Sequence, residues 1–217
     1  MTVMTAIRSV ETEEAKNAAD RIGEARALLP QDASLLRFFD ALYASAMPDD
    51  VLRARADQLA ALALAVHAET AKREKGAIHV VSLDQSQETV LVGINDDRPF
   101  LFDSSLQAVM AGGARIRAAF HPVVELNGVL TSVIALVCDA MIGEARQKLI
   151  DSLRETFAQG ALAVRDWKLM LARLAAARTD LTRNPPFIAG RRADLTEDLD
   201  FLDWLADNHF TFLGARD

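Results

Sequence analysis

The chain holds a single cysteine, Cys138, among its 217 residues. An internal disulfide is excluded, and the composition fits a reducing compartment. Positive charge is scarce as well: 24 Lys and Arg face 31 Asp and Glu, for a net charge of −7. No basic stripe stands out, which argues against a nucleic-acid surface. Long apolar runs are missing. The longest uncharged stretch, residues 126–138, spans 13 positions, too few to cross a bilayer. The opening MTVMTAIRSVETEE has no apolar core of a secretory signal. These absences lead to the expectation of a cytoplasmic protein with neither membrane nor nucleic-acid partners. No G-x-G-x-x-G follows a strand, and the adjacent pair Gly112-Gly113 closes a helix, so no dinucleotide site is expected here. Ser104-Ser105 lies outside any G-x-S-x-G setting and is not read as a nucleophile. His67, His79 and His209 are isolated and give no metal-ligand spacing. No catalytic, cofactor-binding or metal residue is assigned in these 217 residues.

What is present is apolar and patterned. Half the residues are hydrophobic and a quarter charged, as in a soluble domain with a sizeable core. The organising stretch is 95–126. Asp96, Asp97, Arg98 and Pro99 form an acidic loop, and proline suits the start of a helix. A helix is expected over 99–111, with Asp97 as cap and Phe102, Leu106, Val109 and Met110 as its inward stripe. Gly112 and Gly113 supply the stop. Residues 116–126 then alternate apolar and polar, as a half-buried strand does.

Upstream, a helix is expected over 1–27. Ser34 is placed as the cap of a second helix bearing Leu35, Leu36, Phe39, Leu42 and Tyr43. Pro48 and Asp49 open a third, over 49–73, ending in Lys72, Arg73 and Lys75 before Gly76. At Gly76 the period changes from 3.6 to 2. Strands are expected at 78–83 and 89–94, joined by a polar turn as an antiparallel hairpin. Downstream, Asn127-Gly128 signals a hairpin into a strand at 129–139 that is apolar on both faces. A helix begins at Gly143, with Gly160 bending or ending it. Another follows over 161–180, a polar linker near Arg191-Arg192, and a last helix over 196–207. The closing HFTFLGARD reads as the start of a strand without a partner, so the chain is expected to be the first part of a longer one. Three segments result: a helical lobe (1–75), an α+β domain with its following helix (76–182), and a linker, helix and partial next domain (183–217).

From residue 89 the order is β-α-β-β-α, a ferredoxin-like βαββαβ arrangement short of its last strand. The fold class is therefore α+β: an antiparallel sheet with two packing helices, an N-terminal helical lobe and C-terminal helices. The strand at 78–83 is expected to fill the vacant edge beside 89–94. The helices at 99–111 and from 143 cover one sheet face only. The other must be covered by the helical lobe, the 161–180 helix, another domain or a second chain.

Asp96, Asp97 and Asp103 could in principle hold a cation, which needs several converging oxygens, but helix initiation explains Asp97 and Asp103. His121 could contact a partner or effector, against the plainer role of a hydrogen-bonded surface histidine. Cys138 is expected to be buried and inert. Trp167 and Trp204 are expected to anchor the core.

The D-R-P of Asp97, Arg98 and Pro99 at the first loop of a βαββα core resembles ACT-type regulatory domains. Phe100 stands where that pattern usually has glycine. A closer resemblance is to the N-terminal region of large bacterial NAD-specific glutamate dehydrogenases. It rests on Asn95-Asp96-Asp97-x-Pro99-Phe100-Leu101-x-Asp103-Ser104, then His121-Pro122, then Asp166-Trp167 with Met170, and last the segment from Trp204 to Gly214. The strand TSVIALVCD departs from that pattern, being less polar. The resemblance implies an ACT-like, non-catalytic regulatory or assembly module. Its full-length enzyme would convert L-glutamate and NAD to 2-oxoglutarate and ammonia. It implies a homo-oligomer, contacts with other domains and subunits of the enzyme, and an amino-acid effector. Asn95, Asp96, Asp97, Arg98, Phe100 and His121 are the candidate effector or interface residues; NAD would belong to the full-length enzyme, not to this segment. The alternatives from the residues alone are a free-standing amino-acid sensor and a ligand-free interaction scaffold.

Overall fold

The computed structural model describes the backbone of residues 2–188, 191–192, 195–209 and 212, and the side chains of 13–186, 195–207 and 212. Residues 1–158 form one compact unit and 159–217 another. The first unit begins with four helices, α1 (Thr2–Ala27), α2 (Ala33–Tyr43), α3 (Pro48–Leu52) and α4 (Ala56–Thr70). The helix expected over 49–73 is thus two. The break is fixed from both sides: Arg21 of α1 donates to the Ala54 carbonyl (2.6 Å), and Gln58 accepts from the Arg55 amide (2.9 Å), restarting the helix. Asp32, not Ser34, caps α2, taking the Leu35 amide at 2.7 Å. That amide bond holds the Asp32 carboxyl below its ordinary pKa. The cap is therefore present at neutral pH and fades as pH falls through the lowered folded value.

The sheet contains β1 (His79–Gln85), β2 (Glu88–Asp96), β3 (Ile116–Phe120), β4 (Val123–Leu126) and β5 (Val129–Asp139), all antiparallel. Its order is β1-β2-β5-β3, with β4 continuing β3 along the same side of β5. As expected, β1 pairs with β2 and fills the edge that a last ferredoxin-like strand would take. The strand expected over 116–126 is interrupted at Pro122, which has no N–H to give; its carbonyl still accepts from Val133 at 2.9 Å. Asn127 (φ 52°) and Gly128 (φ 76°) make the two-residue turn into β5, the left-handed pair such a hairpin demands.

Both sheet faces are buried, which explains why β2 and β5 are apolar on both sides. One face carries Leu91, Ile134, Leu136 and Cys138 and packs against α5 (Leu101–Ala111) and α6 (Gly143–Arg183) through Val109, Leu149, Leu153 and Phe157. The other carries Val90, Val92, Ile94, Val133, Ala135 and Val137 and packs against the helical lobe, through Phe39, Leu42, Leu59 and Val66. Of the four covers envisaged from sequence, the lobe supplies it. Tyr43 joins the two layers: its ring meets Phe39 and Phe120 edge-on, and its hydroxyl donates to the Leu59 carbonyl at 2.8 Å. Burial pushes the Tyr43 pKa up. Tyr43→Phe keeps the packing and loses one buried hydrogen bond, so a stability loss of about 1 kcal/mol is expected in urea unfolding.

Edge protection is built in. Asp50 of α3 accepts the Ala119 amide of β3 at 3.2 Å, occupying a group that another strand could otherwise use. Cys138 is fully buried, and its thiol pKa is pushed up to about 11 by burial.

Helix α6 is continuous through Gly160, so the helix end expected there is absent. A short pair, β6 (Phe187–Ile188) and β7 (Arg191–Arg192), replaces the expected linker. Helix α7 (Thr196–Trp204) passes into a π-helical turn over Leu205–His209. Arg178 of α6 bonds Asp203 of α7. Trp167 and Trp204 are 41% and 43% exposed, so they are not the buried anchors expected. The expected strand in HFTFLGARD lies almost wholly outside the described residues. Among the described residues, no helix is long and apolar enough to cross a membrane.

Candidate functional site

The acidic loop follows directly from β2. Residues on β2 alternate faces, so Asn95 and Asp97 point toward α5 while Asp96 points toward the helical lobe. The two directions lead to two separate polar clusters.

On the lobe side, Arg73 reaches in from beyond the end of α4. Its side chain is only 3% exposed. Nη2 donates to Asp96 Oδ1 (2.5 Å), Nε to the Ala77 carbonyl (2.8 Å) and Nη1 to Thr131 Oγ1 (3.4 Å). Arg98 approaches the other Asp96 oxygen at 3.7 Å. From sequence, Arg73 was one of three cations closing a helix at its surface. The helix stops earlier, at Thr70, and Arg73 turns inward to fix the loop.

On the α5 side, Asp97 does not cap the helix. Its amide continues the ladder to the Leu130 carbonyl (2.8 Å), and its carboxylate accepts from Ser132 Oγ (2.5 Å). Ser132 Oγ lies 3.1 Å from His121 Nε2. Its proton is committed to Asp97, so it accepts from His121 Nε2–H. The imidazole stacks on Phe102 at 5.0 Å and an interplanar angle of 6°. This order, Asp–Ser–His, is not a nucleophilic triad: the histidine donates to the serine and cannot take its proton. Burial lowers the His121 pKa, outweighing the pull of Asp97 and Asp103. A lowered folded value means stability held above the unfolded pKa, near 6.5, and lost as pH falls through the folded one. His121→Gln should flatten that part of the pH profile of the urea midpoint between about pH 8 and 5; an unchanged profile would contradict this.

Asn95 immediately precedes Asp96 and Asp97 in sequence and pairs across the sheet with Ser132. It is 2% exposed. Its Oδ1 accepts from the Asp96 amide (2.9 Å), while Nδ2 is enclosed without a hydrogen-bond partner among the described residues.

Helix α5 begins at Leu101, two residues later than expected, and Met110 of the expected stripe is exposed. Pro99 precedes the helix. Phe100 is its N-cap, at φ 69°, ψ −4°, in the left-handed region. This is the backbone geometry that glycine adopts without penalty, so the usual glycine position keeps its conformation while carrying a phenyl group. The ring is 58% exposed. Phe100→Gly should therefore leave stability unchanged or raise it by about 1 kcal/mol. A clear loss would show that the ring packs in the folded state.

The structure thus brings Asn95, Asp96, Asp97, Arg98 and His121 together around the β2–α5 loop, with Phe100 on its outside. Sequence reasoning missed Arg73, Thr131, Ser132 and the ring partner Phe102. A signal was present: Thr131-Ser132 is a polar pair in an otherwise apolar strand, and buried hydroxyls need partners. Among the described residues, no three His, Cys, Asp or Glu side chains are grouped to hold a metal ion.

No curated protein matches the chain. The family model described as glutamate dehydrogenase, ACT1 domain, matches residues 38–163. That span takes in α4, all five strands of the large sheet, α5 and the sheet-packing half of α6, and it is more than half of the 217 residues. The chain belongs to the glutamate dehydrogenase ACT1-domain family.

Proposed function

We propose that the chain is a non-catalytic N-terminal regulatory and assembly module of an NAD-dependent glutamate dehydrogenase. The observation that carries this reading is the family match across the whole sheet and its covering helices. The full-length protein would oxidise L-glutamate to 2-oxoglutarate and ammonia with NAD, in the cytoplasm and as a homo-oligomer, and its catalytic domain would be separate from this one. The β2–α5 loop, with Asn95, Asp96, Asp97, Arg98, Phe100 and His121, is the surface proposed to meet an amino-acid effector or a neighbouring domain. Its support is physical: a part-buried ion pair and a hydrogen-bonded chain hold the loop from both sides, while exposed Phe100 and Leu130 give it an apolar rim. Exposed apolar groups beside fixed polar ones suit recognition.

Phe100→Asp in the full-length protein tests this. The ring is outside the core, so the fold should survive. The expected result is an altered glutamate saturation curve or subunit assembly, with catalytic turnover retained. Unchanged kinetics and unchanged assembly would count against the loop as the regulatory surface.

A further inference from the structure

A cleft lies at the other end of the sheet from the β2–α5 loop, where β2 begins with Glu88. It has a volume of about 470 Å³ and is bounded by the helical lobe, the β1–β2 turn, β3 and the end of β5. That is within the range of small-molecule sites, roughly 300–1,000 Å³. Leu59, Phe120 and Val137 form its apolar floor. Five charged residues line it: Asp50, Arg53, Glu88, Arg117 and Asp139. Four of them are matched. Arg53 pairs with Glu88 through its two terminal nitrogens, Nη1 and Nη2, and Arg117 Nε pairs with Asp139. Asp50 is left over. Its hydrogen bond comes from a neutral amide, Ala119 N–H, and among the described residues it has no ion-pair partner. Partial burial raises its pKa, against the smaller opposing pull of the Ala119 amide and of the Arg53 charge.

We propose that this cleft binds a small organic ammonium compound, held by Asp50. Three carboxylates against two guanidinia leave the lining one negative charge in excess. An ammonium group supplies the missing partner of Asp50, and its carbon body covers the apolar floor. A carboxylate ligand meets the reverse situation: three like charges, against two guanidinia that each already hold an ion pair. An uncharged apolar ligand would desolvate Asp50 with no compensation. The inference rests on the cleft alone and not on the enzyme assignment.

The Ala119 amide is a built-in reporter, since it donates to Asp50. In ¹H–¹⁵N spectra of the 217-residue chain, n-butylammonium chloride should move that resonance saturably. Sodium butyrate and sodium chloride at equal ionic strength should not. Asp50→Asn keeps an acceptor for Ala119 and removes the charge; it should weaken butylammonium about tenfold or more. Arg117→Gln, at a position whose side chain is about a third exposed, removes positive charge from the lining and should tighten binding. A saturable response to butyrate, no response to butylammonium, or unchanged affinity in Asp50→Asn would each overturn the proposal. Weaker binding in Arg117→Gln would overturn it as well.

Discussion

Phe157→Ala is expected to destabilise the 1–158 unit by about 3–5 kcal/mol in urea unfolding. The ring is 1% exposed and stands where α6 meets the middle of the sheet. It occupies the space over Gly93 of β2. A Cβ built on Gly93 would lie 2.5 Å from Phe157 Cζ, far inside contact distance. The glycine thus serves as a socket for the ring. Alanine at 157 leaves that socket empty within the buried cluster that includes Leu91 and Leu153. Filling the socket from the other side is also unfavourable. Gly93→Ala should cost about 1–3 kcal/mol, because the ring must move. The two changes should not add: the double variant should be less damaged than the sum of the singles, since each relieves the other. A loss below about 1 kcal/mol for Phe157→Ala would mean that α6 is not held on the sheet by this contact.

The part-buried pair Arg73–Asp96 should show a strong asymmetry. Asp96→Ala leaves a guanidinium that is 3% exposed without its counter-charge, a loss of about 3–5 kcal/mol. Arg73→Met replaces that cation by a side chain that tolerates burial. The Asp96 it leaves is 27% exposed and still has Arg98 at 3.7 Å, so about 1–2 kcal/mol is expected. The ordering is the test. Equal costs, or a larger loss for Arg73→Met, would mean that the Arg73 bonds to Ala77 and Thr131 matter more than the ion pair. The same experiment bears on the loop, because Arg73 joins the helical lobe to the residues that lead into α5. Loosening it should raise amide hydrogen exchange at residues 96–98 and at Phe100 before the sheet itself responds.

The strands and the sheet order were legible in the sequence because they rest on strong local signals. Alternation in 116–126, the Asn127-Gly128 turn and the doubly apolar β5 all report backbone geometry directly. The pairing of β1 with β2 followed from the short turn between them. Helix ends were less legible. Ser34 and Asp32 are both good caps by type, and only the backbone decides which reaches Leu35. Pro99 looked like a helix start, but Phe100 takes a left-handed conformation that composition disfavours. The loop residues were found as a group, yet their partners were not. Asp97 is explained by Ser132, 35 positions away, and Asp96 by Arg73, 23 positions away. Such contacts leave no periodic trace. The cover of the second sheet face was equally non-local: the lobe and the sheet each show an apolar face, and nothing in either names the other.

The most direct test of the functional reading is NADH formation from L-glutamate, measured for the 217-residue chain and for the full-length enzyme proposed to contain it. The chain alone should produce none, and the full-length protein should produce NADH in proportion to glutamate until saturation. Turnover by the isolated chain, or none by the full-length protein, would contradict a non-catalytic module of a glutamate dehydrogenase.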